Sequence, residues 1–272
     1  MATQHEARPA ERRRPWIHVL GLTWVDREPL GDLVRRSSRL GSLVSWLVLH
    51  RGTADATTER AARELWGHLG AAGSARELGR AVGRVQHALA EAGGALTRHD
   101  GRLVLEVPAG AVDAERFEAG LAAAWRLVPT TPEVALDRCV EVVALWSDER
   151  AYASLEGLPA AVAEAGRLGA RRAGAEALRD GLRLLLDPDV MLVADLEARL
   201  AAEPDDELTH RQLAAALAAT GRTAEAVAVL AARRRNGRRS AAPTDDLERA
   251  LLVGEGVRPE WILPPRPVVL TG

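Results

Sequence analysis

The hydrophobic pattern of the first part of the chain predicts short strands followed by helices. Residues 16–26, WIHVLGLTWVD, alternate apolar and polar positions around Gly21, which predicts a pair of short strands. Residues 37–52, SSRLGSLVSWLVLHRG, place leucine and valine at helical spacing and end at Gly52, which predicts a buried helix. Residues 57–70, TTERAARELWGHLG, can be capped by either leading threonine and have one apolar face, which predicts a second helix.

A third predicted helix, residues 74–91, has a basic face opposite an apolar face. At about 100° per residue, Arg76, Arg80, Arg84 and His87 fall within an arc of about 80°, and the leucines and valines lie opposite. Two glycines near the basic face cost about 1 kcal/mol each in helix propensity. They also let another backbone approach closely.

The next segment, residues 95–108, predicts a hairpin that completes a winged helix. Asp100–Gly101 is a tight-turn dipeptide, and apolar residues alternate along the return strand. Arg98 and Arg102 flank the tip. Two strands, three helices and a hairpin describe a winged helix, a fold that places its third helix in the major groove and its hairpin along the neighbouring DNA backbone.

From residue 113 onward the pattern predicts helices in antiparallel pairs. Residues 113–128 and 131–146 form one pair, and residues 207–221 and 222–235 form another with the spacing of tetratricopeptide (TPR) repeats. Further helices are predicted between them. Such units bury their apolar faces only against neighbours, so about three repeats build one curved domain. Small residues allow close helix packing in the first pair, at Gly120, Ala123 and Ala135.

The predicted fold class is mainly α, with a small α+β winged-helix domain followed by an all-α TPR-like helical-repeat domain. Its predicted boundaries are a disordered leader at 1–15, the winged helix at 16–108, the helical repeats at 111–255 and an extended tail at 256–272. The chain of 272 residues exceeds the usual ~100–200 residues of one domain, which favours two. Only 3% of the residues are aromatic, so the core is expected to be packed mainly by leucine, valine and alanine.

The charge distribution favours a nucleic-acid-binding part joined to a protein-binding part. All 36 basic residues are arginine, a bias that a G/C-rich genome produces, so a single arginine does not indicate phosphate binding. Residues 1–108 hold 16 arginines against 12 acidic residues, whereas residues 109–272 hold 20 against 26. A mildly basic part beside an acidic part fits a nucleic-acid binder with a domain for protein partners.

The chain shows no motif of an enzyme, a cofactor site or a metal site. It has no lysine for a phosphate-binding P-loop, no G-x-G-x-x-G motif, and seven histidines without metal-ligand spacing. The single cysteine, Cys139, excludes an internal disulfide and is predicted to be a small buried helix residue. Without an apolar run of about 18 residues or a signal-peptide core, we expect a cytoplasmic protein without membrane contact.

Two groups of charged residues have structural explanations. The acidic pairs at 205–206 and 245–246 are predicted to cap helix starts. The segment ARRRNGRRS, residues 232–240, concentrates five arginines. They are interpreted as cations at a helix C-terminus followed by a solvated turn, and a second nucleic-acid patch is the alternative.

Over residues 16–255 the sequence resembles the Streptomyces antibiotic regulatory protein family. The resemblance rests on the collinear order of WIHVLGLTWV, GSLVSWLVLHRG, ARELWG, AVGRVQHAL, LTRHDGRLVLEVP, DAERFEAGLAAA, VVALW and TGRTAEAVAVLAARR. Family members are actinomycete activators that pair an OmpR-like winged helix with a bacterial transcriptional activator domain. The resemblance implies binding to direct repeats near promoters as a homodimer, and recruitment of RNA polymerase to a biosynthetic gene cluster.

The sequence departs from the family pattern at the recognition helix and at the wing. The usual serine-arginine-leucine-arginine stretch is replaced by residues 83–86, Gly-Arg-Val-Gln, and Arg102 replaces an aromatic residue. Arg84 and Gln86 are expected near base edges, because arginine pairs with guanine and glutamine with adenine. A helical-repeat scaffold whose degenerate winged helix no longer binds DNA is the alternative. The predicted contacts to double-stranded DNA are Arg76, Arg80, Arg84, Gln86, His87, Arg98 and Arg102.

Overall fold

The computed structural model describes residues 14–235 and 241–266. The described chain is mainly helical with two small β-hairpins, which confirms the predicted fold class. It divides into two compact units. The first contains the described residues up to 119 together with 144–171, and the second contains 120–143 together with those from 172 onward. Most of the predicted leader, residues 1–13, lies outside the described residues.

The first unit contains the predicted winged helix, with one helix that the sequence pattern did not predict. This additional helix, α1, precedes the three predicted ones. The strands pair antiparallel, with Ile17 opposite Val25 and Leu96 opposite Leu105. The elements are β1 Ile17–His18, β2 Trp24–Val25, α1 Leu30–Arg36, α2 Ser38–Leu49, α3 Thr58–Trp66, α4 Gly70–Glu91, β3 Ala95–His99 and β4 Arg102–Glu106.

The second hairpin is fixed by its turn and by a third segment of chain. Asp100 and Gly101 both have positive φ, 46° and 76°, the conformation that two-residue hairpin turns require. On the other side of β4, the amide of Leu103 donates to the carbonyl of Ala56 at 2.7 Å. The hairpin is therefore anchored to the start of α3 as well as to the end of α4.

The core beneath α4 is formed mainly by α2, α3 and the hairpin. Trp46 and Trp66 are buried. The indole Nε1 of Trp46 donates to Glu64 at 2.7 Å. α4 begins at residue 70 rather than 74, directly after a 3₁₀ turn at 67–69. Its buried positions are Ser74, Leu78, Ala81, Val85, Ala88 and Leu89.

The first unit extends beyond the predicted domain boundary at residues 108–111. Asp113, at the start of the next helix, is buried and accepts hydrogen bonds from the amides of Val19 and Leu20 at 2.9 and 3.2 Å. The amide of Tyr152 donates to the carbonyl of Val19 at 2.7 Å, and the amide of Ser147 donates to that of Leu20 at 2.9 Å. The backbone between β1 and β2 is thus paired with residues far along the chain.

Helices occupy all four segments predicted as repeat helices, and the two predicted at 207–221 and 222–235 pack against each other. Asp189 caps the helix Val190–Ala202 by accepting from the amide of Leu192 at 2.7 Å, and Asp206 caps the helix Glu207–Ala219 by accepting from that of Leu208 at 3.0 Å. Capping by Asp206 was predicted from the sequence. The helices are α5 Asp113–Leu127, α6 Pro132–Val143, α7 Pro159–Leu186, α8 Val190–Ala202, α9 Glu207–Ala219, α10 Thr223–Arg235, α11 Ala242–Val253 and α12 Pro259–Ile262.

The acidic pair at 245–246 does not cap a helix, contrary to the prediction. Helix α11 begins at Ala242, and its N-cap residue, Ala241, makes no side-chain hydrogen bond. Asp245 lies within the first turn instead. A carboxylate there is still favourable, because the N-terminal end of a helix carries a partial positive charge.

Small buried residues let the helices of the second unit approach closely. A Cβ added to Gly120 on α5 would overlap the Cγ1 of Val142 on α6, so this position requires glycine at the predicted contact. Cys139 is fully buried, and burial raises the pKa of its thiol to about 12. The cysteine is therefore a core residue, as predicted.

The prediction of an extended tail at 256–272 is wrong for its first part. Residues 259–262 form the short helix α12, and Trp261 and Ile262 are buried. Pro259 suits the first turn of a helix. Trp261 and Ile262 pack in the hydrophobic core of the second unit. Residues 267–272 lie outside the described residues, as do residues 236–240 of the arginine-rich segment. Within 14–235 and 241–266, no helix is long and apolar enough to cross a membrane.

Candidate nucleic-acid interface

The solvent face of α4 carries a row of cations, which we call the arginine row: Arg76, Arg80, Arg84 and His87. All four side chains are exposed. Arg80 forms an ion pair with Glu77 at 2.7 Å, and His87 lies 3.1 Å from Glu91. Within the described residues, Arg76 and Arg84 have no ion-pair partner. They are the two members of the row that can meet an anion without breaking an existing pair.

A groove of about 770 Å³ lies beside the arginine row, between α3, α4 and the second hairpin. Gln86 and Arg98 line this groove, whereas the arginine row does not. The α4 wall of the groove consists largely of small or apolar residues: Ala71, Ala75, Leu78, Gly79, Val82 and Gly83. The structure therefore places the predicted contacts of α4 on two adjoining faces of that helix, and it places Arg98 of the hairpin in the groove lining.

Gly79 and Gly83 keep the groove wall flat. A Cβ added to either glycine would meet nothing within 4 Å, so the fold itself does not require glycine there. Each glycine nevertheless costs the helix about 1 kcal/mol relative to alanine. Space that no part of the protein fills is available to a ligand.

The two arginines of the hairpin differ in their surroundings. Arg102 is exposed, but its guanidinium donates to the carbonyl of Thr53 at 3.0 Å, which links the hairpin to the turn after α2. Arg98 is exposed and faces the groove, and its side chain has no hydrogen-bond partner among the described residues. Arg98 is therefore better placed than Arg102 to contact an anion.

Helix α3 contributes groove residues that the sequence analysis did not select. Thr58, Glu59 and Arg63 line the side opposite α4. Glu59 and Arg63 lie four residues apart, which puts them on the same helix face. That spacing was visible in the sequence, but it did not show that this face is opposite α4.

A half-buried charged pair on α3 lies beside the buried His50 at the end of α2. Arg60 Nε donates to Glu64 at 2.8 Å, and Glu64 lies 3.8 Å from Nε2 of buried His50. Burial lowers the pKa of His50, and the nearby charge of Arg60 lowers it further. For Glu64, burial acts to raise the pKa, but hydrogen bonds from Trp46 and Arg60 outweigh it, so the pKa is lowered. The histidine is held neutral beside a charged pair.

The neutral state of His50 predicts a pH-dependent stability. At neutral pH the imidazole is neutral in the folded and the unfolded chain, so it imposes no penalty. Below the unfolded pKa the unfolded chain binds a proton that the folded chain does not, so the free energy of unfolding falls until the lowered folded pKa is reached. Urea unfolding between pH 7 and 5 should show this loss, and His50→Gln should reduce it. The same slope in both proteins would contradict this assignment.

The described residues contain no cluster of histidine, cysteine, aspartate and glutamate that could hold a metal ion. The candidate site is instead a surface of exposed cations, one amide side chain and an open groove. Such a surface suits an extended polyanion.

Comparisons with known proteins assign the chain to a family. The model of the bacterial transcriptional activator domain matches residues 112–251, more than half of the chain. The solved structure of Mycobacterium tuberculosis EmbR, in complex with a low-affinity phosphopeptide, matches with a TM-score of 0.73 at 17% identity. That match covers 91% of this chain and 67% of the EmbR chain and shows a shared fold. A search of curated proteins found no match. The protein therefore belongs to the family of transcriptional regulators with a bacterial transcriptional activator domain.

Proposed function

We propose that this regulator binds double-stranded DNA through α4 and the second hairpin, and that it activates a biosynthetic gene cluster from promoter repeats. The observation that supports this most strongly is the exposed arginine row, on the helix that a winged helix places in the major groove. The opposite face of the same helix is buried in the core. DNA is the partner that fits this combination of fold and charge.

Phosphate contacts come from the arginines without a partner. Arg76 and Arg84 can each neutralise a phosphate and release a counterion. Arg80 and His87 must first exchange Glu77 and Glu91 for phosphates, so their net contribution is smaller. The arginine row therefore positions the helix on the duplex, with Arg76 and Arg84 as its strongest contacts.

Base contacts come from the groove side of α4. Gln86 can form paired hydrogen bonds with adenine, and an arginine can form them with guanine. Gln86 lies beside Gly79 and Gly83, where nothing blocks close approach of a duplex. Arg98 on the hairpin also lines the groove. In this proposal it contacts the neighbouring DNA backbone.

In this proposal the helical repeats bind other protein molecules. Residues 109–272 carry 20 arginines against 26 acidic residues, so this part is not suited to follow DNA. We assign it to homodimerisation on DNA and to contact with RNA polymerase. Sedimentation of the protein with and without its selected DNA tests the dimer.

Binding to labelled duplex DNA tests the proposal. Genomic fragments, and then a sequence selected from them, are titrated at low salt with wild-type protein and with Arg76→Ala/Arg84→Ala, and followed by anisotropy. We expect the double variant to bind about 10-fold or more weakly, because two phosphate contacts are lost. The matched control Arg222→Ala/Arg249→Ala removes the same charge from exposed positions in the second unit and should bind like wild type.

Replacing the two groove glycines with alanine should stabilise the fold and weaken DNA binding. Gly79→Ala/Gly83→Ala should raise the free energy of unfolding by about 1–2 kcal/mol, because alanine is the better helix former and each Cβ enters open space. The added methyl groups lie where the duplex approaches, so DNA binding should weaken. Unfolding in urea and anisotropy on the same preparations measure both effects. Unchanged DNA affinity would remove the groove from the interface.

The alternative, a protein-interaction scaffold with a degenerate winged helix, makes the opposite prediction. A folded protein that binds no duplex at low salt would support it. The pairing of Arg80 with Glu77 and of Arg102 with Thr53 is the observation in its favour. The same titration therefore distinguishes the two functions.

A further inference from the structure

The chain places its own residues 257–263, which we call the C-terminal segment, in a groove formed by α7, α9 and α11. Trp261 and Ile262 are buried among the apolar residues of the second unit. Residues 259–262 form only one helical turn. Gly254, at a φ of 76°, and Gly256 form the connection to α11. A short apolar peptide thus lies in the groove, joined to α11 by a short connection that contains two glycines.

The groove recognises the segment through its main chain, as a protein recognises a peptide ligand. Arg211 Nε donates to the carbonyl of Trp261 at 2.5 Å. Gln212 Nε2 donates to the carbonyl of Ile262 at 2.8 Å and to that of Ala177 on α7 at 2.8 Å. Both donors are buried side chains of α9. Side chains that hold two successive carbonyls accept many sequences, while the apolar pockets set the preference for an aromatic and an aliphatic residue.

The floor of the groove is a glycine that fits the segment closely. A Cβ added to Gly181 on α7 would lie 2.8 Å from the Ile262 carbonyl oxygen and 2.8 Å from Leu263. Gly181 lies inside a long helix, where glycine is otherwise unfavourable. The backbone of α7 is therefore open at the place where the segment lies.

The segment does not fill the site. An open cleft of about 410 Å³ continues beside Ile262 and Val257, lined further by Leu184, Leu185 and Leu251 and by the polar Thr223 and Glu255. Within the described residues, the buried Oε1 of Gln212 accepts no hydrogen bond. The unfilled cleft leaves room for a larger ligand than the segment itself, and the free Gln212 oxygen is an acceptor that the segment does not use.

We propose that this groove is a docking site for a peptide of a partner protein, and that the C-terminal segment is its internal competitor. The partner peptide carries an aromatic–aliphatic pair like Trp261–Ile262, and it presents successive carbonyls to Arg211 and Gln212. The site lies outside the DNA-binding surface, and its test does not use DNA. Partner binding requires release of the segment at the glycine tether.

A labelled peptide with the sequence of residues 256–266, GVRPEWILPPR, is the probe. It is titrated into the full-length wild-type chain and into the full-length variant Trp261→Ala, in which the tethered segment is released. A tethered competitor acts at millimolar effective concentration, so the variant should bind the peptide about 100-fold more tightly than wild type. Adding Gly181→Ala to Trp261→Ala should abolish binding, although alanine favours the helix. A peptide with alanine for tryptophan is the ligand control.

A second arm does not depend on the folding of Trp261→Ala. A protease site is inserted between Gly254 and Gly256 of the wild-type chain, and the cleaved protein should exchange its own segment for the labelled peptide. No peptide binding by a helical Trp261→Ala chain, or no exchange after cleavage, would show that the segment is a permanent part of the fold. A wild-type dimer that Trp261→Ala abolishes would assign the groove to a second copy and would also overturn the proposal.

Discussion

Asp113→Ala should lower the free energy of unfolding of the first unit by about 3–5 kcal/mol, because each buried amide left without an acceptor costs about 1–3 kcal/mol. The carboxylate is almost completely buried, and it accepts from the amides of Val19, Leu20 and Ala114. Urea unfolding followed by circular dichroism measures the loss.

Two variants show that the effect comes from the buried acceptor. Glu115→Ala on the same helix removes an exposed carboxylate that pairs with Arg51, and should cost below about 1 kcal/mol. Asp113→Asn keeps one oxygen acceptor, and should fall between wild type and Asp113→Ala. If Asp113→Ala is as stable as Glu115→Ala, the carboxylate does not hold the segment after β1 in place.

Gly21→Ala should cost about 3 kcal/mol, since backbone strain and overpacking each contribute about 1–3 kcal/mol. Gly21 has a φ of 147°, which side-chain-bearing residues rarely adopt. An added Cβ would overlap the Ser147 hydroxyl and lie 3.2 Å from the amide nitrogen of Asp148. The carbonyl of Gly21 accepts a hydrogen bond from the amide of Ala153 at 3.1 Å. The loop therefore cannot move away without breaking this hydrogen bond.

The control for this prediction is Gly52→Ala. Gly52 also has a positive φ, 74°, but a Cβ there would meet nothing within 4 Å. Gly52→Ala should therefore lower the free energy of unfolding only by the backbone strain, about 1–2 kcal/mol. Equal losses for the two variants would mean that the contact with residues 147–148 contributes nothing to stability.

The sequence predicted the elements whose cause is local. Asp100 and Gly101 both tolerate the positive φ that a two-residue turn requires, so the dipeptide alone was enough to predict the second hairpin. The spacing of Leu78, Val85 and Leu89 defined the buried face of α4 and, by exclusion, the arginine row.

The sequence did not predict features that depend on distant contacts. Asp113 lies 94 residues from Val19, and no periodicity shows that its carboxylate accepts hydrogen bonds from the backbone that follows β1. Helix α1 has seven residues, too few for a clear hydrophobic period. Burial of Trp261 depends on Arg211 and Gln212, whose hydrogen bonds to the C-terminal segment span 50 residues.

The candidate interface also has some features that helix geometry predicts and others that depend on distant contacts. Exposure of Arg76 and Arg84 could be predicted from helix geometry. The pairing of Arg102 with the Thr53 carbonyl could not, because that contact depends on how the hairpin packs. The groove that holds Gln86 and Arg98 could not be predicted either, since three separate elements form it.

The salt dependence of DNA binding tests the central claim, phosphate contact by the arginine row, most directly. The logarithm of the binding constant is plotted against the logarithm of salt concentration for wild type, Arg76→Ala/Arg84→Ala and Arg222→Ala/Arg249→Ala. If Arg76 and Arg84 contact phosphates, the slope of the first variant should be shallower than that of wild type by about 2, and the second should match wild type. Equal slopes for all three proteins, or no binding by the folded wild type at low salt, would contradict the claim.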